Sequence, residues 1–235
     1  VAGDFYDVIS LPDGKLGLVV ADVADKGIPA SLFMTLTRTL LRAAVKSESS
    51  PAAVLERVND LLVPDTENGM FVTLVYAVLD PVTGRLDYAN AGHNLPLHFQ
   101  ATTGVVERLK HCGMGLGVQE GTHIEEESVW MNAGDVVVFY TDGVTETFAG
   151  RNGTAGPLSP DSGIEEMFGE ERLLQLLSHN RGRTARSILN AIDRAVLSFS
   201  AEAYPSDDLT MIALKRRIPR SRSIVGRAVS PAQPD

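Results

Sequence analysis

Carboxylates next to small or turn-forming residues, at the ends of apolar runs, are the residues of this sequence best suited to chemistry. Four places carry them: Gly3-Asp4-Phe5-Tyr6-Asp7, Val20-Ala21-Asp22-Val23, Tyr140-Thr141-Asp142-Gly143 and Ser206-Asp207-Asp208-Leu209-Thr210. Aspartate favours turns and strand ends in any case. Four such sites beside core-forming strands nevertheless carry a cost, because unpaired carboxylates gathered at one rim repel. A divalent cation would relieve it. Oxygen donors without a cysteine pair or paired histidines select Mg²⁺ or Mn²⁺ over zinc. From spacing alone a two-metal hydrolase is one possibility and ordinary strand-end aspartates are the other.

The charge supports that focus. The chain has 235 residues, 30 acidic and 21 basic, for a formal net charge of −9. Six of the basic residues fall after Leu214 against Asp235 alone, which leaves 15 basic and 29 acidic residues in the first 214 positions. A phosphate-tracking nucleic-acid surface is disfavoured by that balance. The one cysteine, Cys112, excludes an intrachain disulfide, and neither C-x-x-C nor H-E-x-x-H spacing occurs. No apolar run reaches the roughly 20 residues of a membrane-spanning helix.

The elements that must position these aspartates follow from periodicity. Strands are predicted over 1–11 and 16–23, joined at Pro12-Asp13-Gly14. A helix opens at Gly27 and Pro29, with Leu32, Leu36 and Leu40 expected on its buried face, and a second follows Ser50-Pro51 with the stripe Val54, Leu55, Val58, Leu61 and Leu62. Segments 71–79, 85–91, 96–100 and 105–109 read as an antiparallel meander, because their connections are short. Two strands follow over 123–131 and 136–141, and the second, apolar on both faces, should be central. Residues 148–165 read as a long surface loop. Helices are expected near 169–180 and 184–201, the second capped by Thr184, before a last strand over 209–215. Residues 218–235 read as a basic, disordered tail. Two helical pairs separated by antiparallel strands indicate an α+β sandwich.

The order of five segments resembles one family. Gly3-Asp4-Phe5-Tyr6-Asp7, Ala21-Asp22-Val23-Ala24-Asp25-Lys26-Gly27, Tyr88-Ala89-Asn90-Ala91-Gly92-His93-Asn94, Tyr140-Thr141-Asp142-Gly143-Val144-Thr145-Glu146 and Ser206-Asp207-Asp208-Leu209-Thr210 are similar to the motifs of the PPM (type 2C) metal-dependent Ser/Thr protein phosphatases, in their SpoIIE-like bacterial branch. The resemblance implies an α-β-β-α sandwich of two antiparallel sheets flanked by helical pairs, with two Mn²⁺ or Mg²⁺ ions at one end. By that resemblance Asp22 would bridge both ions and the Val23 carbonyl would assist. Asp142 and Asp207 would hold the second ion, and Asp4 would touch a metal or its waters. A water bridging the ions would attack phosphorus directly. Beside these matched positions Asp7, Glu146 and Asp208 either support the ligands or are merely solvated, His93 either orients the site or is a turn histidine bonded to backbone, and Lys26 and Gly27, at a helix N-terminus, either face the substrate or form a plain polar turn.

The family also implies roles beyond the site. They are hydrolysis of phosphoserine or phosphothreonine on a phosphorylated STAS-type anti-anti-sigma protein, a sensor domain upstream in cis, and a cytoplasmic location, which includes the cytoplasmic part of a membrane-anchored sensor. Residues 1–217 would then be the phosphatase domain without its first strand, with 218–235 as the added tail. Two departures matter: Ala24 stands where the eukaryotic branch has a proposed acid histidine, and Gly92-His93-Asn94 stands where a third metal site would read Gly-Asp-Ser. The rival readings are a catalytically weak module of the same fold that binds phosphoproteins, and a two-metal phosphodiesterase.

Overall fold

The computed structural model describes residues 3–66, 69–110, 113–150, 166–200 and 207–217. Most of the expected loop, the tail 218–235 and Cys112 lie outside them. Strands β1 (Phe5–Ser10), β2 (Leu16–Val23), β3 (Val72–Leu79), β4 (Arg85–Ala91) and β7 (Glu126–Trp130) form one antiparallel sheet in that order. Strands β6 (Val106–Arg108), β5 (Leu97–Phe99), β8 (Val136–Tyr140) and β9 (Met211–Lys215) form the other. Helices α1 (Ile28–Ala44) and α2 (Pro51–Leu62) cover the first sheet; α3 (Gly169–Asn180) and α4 (Ala185–Phe199) cover the second.

Strand alternation dictates the layering. On β2, Val19, Ala21 and Val23 point to the helical side and pack with Leu41, Leu55 and Leu62. Leu18 and Val20 point the other way and meet Val137 and Phe139 of β8 between the sheets. Val136, Val138 and Tyr140 of β8 then face α3 and α4. Both faces of β8 are thus buried, which explains its unbroken apolar run. Four layers stack in the order helices, sheet, sheet, helices, with three apolar cores between them, as the family resemblance implies.

Two expectations need correction. The segments 71–109 are not one meander: β3 and β4 pair in the first sheet, but β5 and β6 belong to the second. The chain crosses between sheets at Gly92–Leu95, and β7 later returns to pair with β4. The inter-sheet core needs strands on both sides, and short connections do not say which side each takes.

The buried face of α1 is also displaced from the one expected. Ala30, Phe33, Thr37, Leu41 and Ala44 are buried, whereas Leu32 is 67% exposed and Leu36 and Leu40 only flank the core. The chosen face presents small residues at both ends, so α1 lies close on the sheet, and it leaves Arg38 and Arg42 able to reach β1. Thr184 caps α4 as expected, accepting a hydrogen bond from the Ser187 amide, and Ser50 caps α2 in the same way, accepting from the Ala53 amide.

Candidate metal centre

Register brings the four aspartate segments together in two pairs. Phe5 stands opposite Ala21 in the β1–β2 ladder, so the next step outward sets Asp4 opposite Asp22. In the second sheet Tyr140 stands opposite Met211, and Thr141 and Thr210 continue the pairing through the Thr141 amide and the Thr210 carbonyl, 3.0 Å apart. Asp142 on one strand and Asp207–Asp208 on the other therefore leave the sheet side by side.

Polar contacts then tie the two sheets at this rim. The Thr141 hydroxyl donates to Asp4 Oδ2 at 2.6 Å and accepts from the Thr210 amide at 3.1 Å. The Gly3 amide donates to Asp208 Oδ2 at 3.0 Å, across 205 residues of chain. Packing is tight enough to forbid side chains. A Cβ on Gly143 would lie 2.0 Å from the Asp208 carbonyl oxygen, and one on Gly3 would lie 3.1 Å from the Val23 carbonyl oxygen. Glycine is required at position 143 so that the Asp142 and Asp208 backbones can approach.

The assembled carboxylates disturb one another. Burial first, then a hydrogen bond with Asp4 and the charges of Asp4, Asp142 and Asp207, push Asp22 up to about 8. Asp4 is raised chiefly by burial, against the opposing hydrogen bonds from Thr141, Asp22 and Thr210. Asp142 is raised by burial and by Asp207; Glu146 is raised by burial and then by Asp142 and Asp207. These four aspartates and Glu146 thus share one electrostatic environment, although they come from distant parts of the sequence.

As they stand, no three His, Cys, Asp or Glu side chains among the described residues are arranged to hold an ion. Two internal features offset the repulsion in its place: the raised Asp22 carboxyl, hydrogen-bonded with Asp4, and the Lys26 ammonium, 3.0 Å from Asp207 Oδ2. Both occupy carboxylate oxygens that a hard cation would use, and the donors are all oxygen. The residues therefore fit one or more divalent ions of the Mg²⁺ or Mn²⁺ kind. The turn that brings Lys26 there is itself unusual, since Asp25 holds φ at 89°, a conformation that non-glycine residues rarely adopt. Gly27, at φ 97°, leads into α1 without capping it through a side chain.

The remaining expected residues divide. Asp208 clamps the Gly3 amide as a supporting group. His93 is buried, with Nδ1 2.9 Å from the Thr73 hydroxyl, which in turn donates to the Asp22 carbonyl at 3.3 Å. Burial pushes His93 down to about 4 against the pull of the Tyr140 and Thr73 backbones, so its ring is neutral at pH 7. Through Thr73 it supports the Asp22 backbone.

Asp7 does not belong to the rim. It faces α1, where Arg42 binds both of its oxygens at 2.6 and 2.7 Å and Arg38 adds a contact at 3.1 Å. Burial would raise Asp7, but these guanidinium groups hold it below the usual carboxylate range. Its nearness to Asp4 in sequence is misleading because alternate residues of β1 face opposite ways and the strand leads away from the rim. The sequence reading, in turn, left Thr141, Thr73 and Gly143 out of the site. Each lies within two positions of a strand-end aspartate or opposite one in the ladder, which is the signal that could have found them.

Known proteins resemble this chain in sequence and in fold. The family described as stage II sporulation protein E (SpoIIE) matches residues 12–217. Protein IcfG of Synechocystis sp. is 30% identical over 243 aligned residues, which cover 92% of this chain and 36% of that protein. The phosphoserine phosphatase RsbU of Bacillus subtilis is 24% identical over 93% of this chain and 60% of its own length. The chain thus spans about a third to three fifths of these two relatives. Among solved structures, the RsbU and RsbW domains of Rv1364c from Mycobacterium tuberculosis superpose with a TM-score of 0.73 at 28% identity, over 93% of this chain and 56% of that one. The SiaA-PP2C domain of Pseudomonas aeruginosa superposes with a TM-score of 0.75 at 19% identity, over 92% and 80%.

Proposed function

The chain belongs to the SpoIIE family, and from that premise we propose that it is a metal-dependent protein phosphatase that hydrolyses phosphoserine or phosphothreonine on a signalling protein. The observation that carries the reading is the electrostatic union of Asp4, Asp22, Asp142 and Asp207 at one rim, with Asp22 pushed up to about 8 by burial and by the other three. Relatives named as phosphoserine phosphatases, RsbU among them, support phosphoserine as the reacting group.

Asp4, Asp22, Asp142 and Asp207, with the Val23 carbonyl, would hold two Mn²⁺ or Mg²⁺ ions. When bound, such ions activate water and neutralise phosphoryl oxygens. The chain's own residues do the positioning. Thr141 holds Asp4 from the opposite sheet, Asp208 fixes the Gly3 amide ahead of it, and Thr73 with His93 braces the Asp22 backbone. Glu146 adds negative charge at the edge of the site.

Lys26 changes partner in this scheme. It lies on Asp207 at 3.0 Å with its side chain 62% exposed, so it can leave the carboxylate when cations arrive and meet the anionic phosphoryl group. Ala24 offers no acid for the leaving serine, and neutral His93 is buried. Protonation of the leaving oxygen would then fall to a water held in the site or matter less. The protein substrate implied by the family is a phosphorylated STAS-type anti-anti-sigma protein, and a sensor domain in cis would fit the much greater length of the relatives.

The test is hydrolysis of a phosphoserine peptide with Mn²⁺, without metal and with Asp22→Asn or Asp207→Asn. Metal-dependent turnover that both substitutions abolish supports the assignment. Wild-type rates in both variants would show that the catalytic residues lie elsewhere.

A further inference from the structure

The end of the molecule away from the aspartates carries a feature of opposite sign. Strand β8 runs from Val136 to Tyr140, next to Thr141 and Asp142, so its five residues separate the two ends by roughly 17 Å at about 3.3 Å each. At the far end, between the α3–α4 turn and the ends of β5 and β9, lies a cleft of about 1280 Å³. Arg181, Arg183, Arg186, Lys215 and Arg217 line it, and among the described residues no acidic one does.

Five cations around one opening repel one another unless an anion joins them. Among the described residues the fold supplies none. The nearest acid in sequence, Asp135, is fully buried, and its oxygens are taken by His98 and by the Ala101 and Asn132 amides. Lys215 has a structural task, donating to the Arg181 and Arg183 carbonyls at 2.5 and 2.7 Å, which fixes the turn that carries the arginines. Arg183, Arg186 and Arg217 are exposed, and none has an acidic partner within ion-pair distance among the described residues. The first turn of α4 adds the partial positive charge of a helix N-terminus to the same opening.

Size and lining narrow the ligand. The volume exceeds that of a small-molecule pocket, which runs to about 1,000 Å³, so the cleft admits a stretch of chain. Its wall includes apolar Phe99, Ala101 and Ala185 between the cations. No exposed aromatic ring is offered for stacking bases, since Phe99 is only 2% exposed. The acidic body beyond the cleft would also repel an extended phosphate backbone.

We infer that this cleft is a docking site for an acidic segment of a partner protein, whose carboxylates pair with the guanidinium forks of Arg183, Arg186 and Arg217 while apolar side chains rest on the wall between them. The site is separate from the aspartate rim and does not depend on its chemistry.

Fluorescence anisotropy of a labelled Glu/Leu peptide, titrated with the full chain in the presence of EDTA, tests it. Saturable binding is expected that weakens with salt, is lost when Gln replaces Glu in the peptide, and falls about tenfold in Arg183→Ser/Arg186→Ser. Both arginines are exposed, so the melting temperature of that variant should match the wild type and report intact folding. Absence of binding at low ionic strength overturns the inference. So does affinity unchanged by the double substitution, or tighter binding of an oligothymidylate than of the peptide.

Discussion

Removing the charge of Asp22 should stabilise the metal-free protein, although Asp22 is central to the proposed site. The Asp22 carboxyl moves from 3.8 to about 8 on folding, through burial and then through Asp4, Asp142 and Asp207. A group raised in this way supports the fold fully below about pH 4, and that support is lost as pH climbs through about 8. A shift of this size corresponds to a ceiling of about 6 kcal/mol for the ionised group. Asp22 is only partly buried and hydrogen-bonds with Asp4, so solvent screening and redistribution of charge reduce this to about 2 kcal/mol. For a domain of this size, Asp22→Asn should then melt about 4–8 °C above the wild type at pH 8 in EDTA. The gap should close toward pH 5, and it should invert when Mn²⁺ is added, because only the wild type gains binding energy from the ion. Thermal melts of both proteins at pH 5 and pH 8, with EDTA or Mn²⁺, provide the assay. A variant no more stable than the wild type at pH 8 in EDTA would refute the electrostatic reasoning.

Other perturbations test separate parts of the account. Lys26→Met removes the ammonium that sits on Asp207; calorimetry at low salt should show Mn²⁺ binding tightened by about two- to fivefold, the range expected from one exposed ion pair, and weaker binding would mean that Lys26 does not compete with the ion. Gly143→Ala places a methyl group against the Asp208 carbonyl and should cost about 2 kcal/mol or more; a normal melt and normal Mn²⁺ affinity would contradict the close packing of the rim. Asp7→Asn breaks the bridge from β1 to Arg38 and Arg42 and should lower stability by about 1–3 kcal/mol, with kcat on a phosphoserine peptide unchanged below the melt. Since Asp7 is held below its usual range, the stability it contributes should persist above about pH 4 and fade as pH drops further; denaturant titrations across pH 3–7, wild type against variant, would expose the difference.

What the sequence made legible was set by the range of each signal. The nine strands and four helices among the described residues stand out because alternation, helical stripes and the Thr184 cap are local patterns. The aspartates were legible as strand-end residues, and their order carried the family resemblance. Which sheet a short strand joins was not legible, because β5 and β6 are three residues each and their apolar content suits either face of the core. The face of α1 was misread because Leu32, Leu36 and Leu40 make as regular a stripe as Phe33, Thr37 and Leu41; only the closeness of the sheet and the reach of Arg38 and Arg42 to Asp7 decide between them. Asp7 was assigned to the rim for a related reason, since its partners lie 31 and 35 residues away on a helix. Thr141 escaped notice because its role depends on Asp4, 137 residues distant.

The central claim is that four aspartates from both sheets form one divalent-metal centre. Crystals of the protein soaked in Mn²⁺ and measured at the manganese absorption edge address it directly. The account predicts two anomalous peaks roughly 3.5–4 Å apart, with Asp22 between them, Asp142 and Asp207 on one, and the Lys26 ammonium displaced from Asp207. Crystals that bind no manganese at this rim, or that bind it only at surface carboxylates such as Glu125–Glu127, would contradict it.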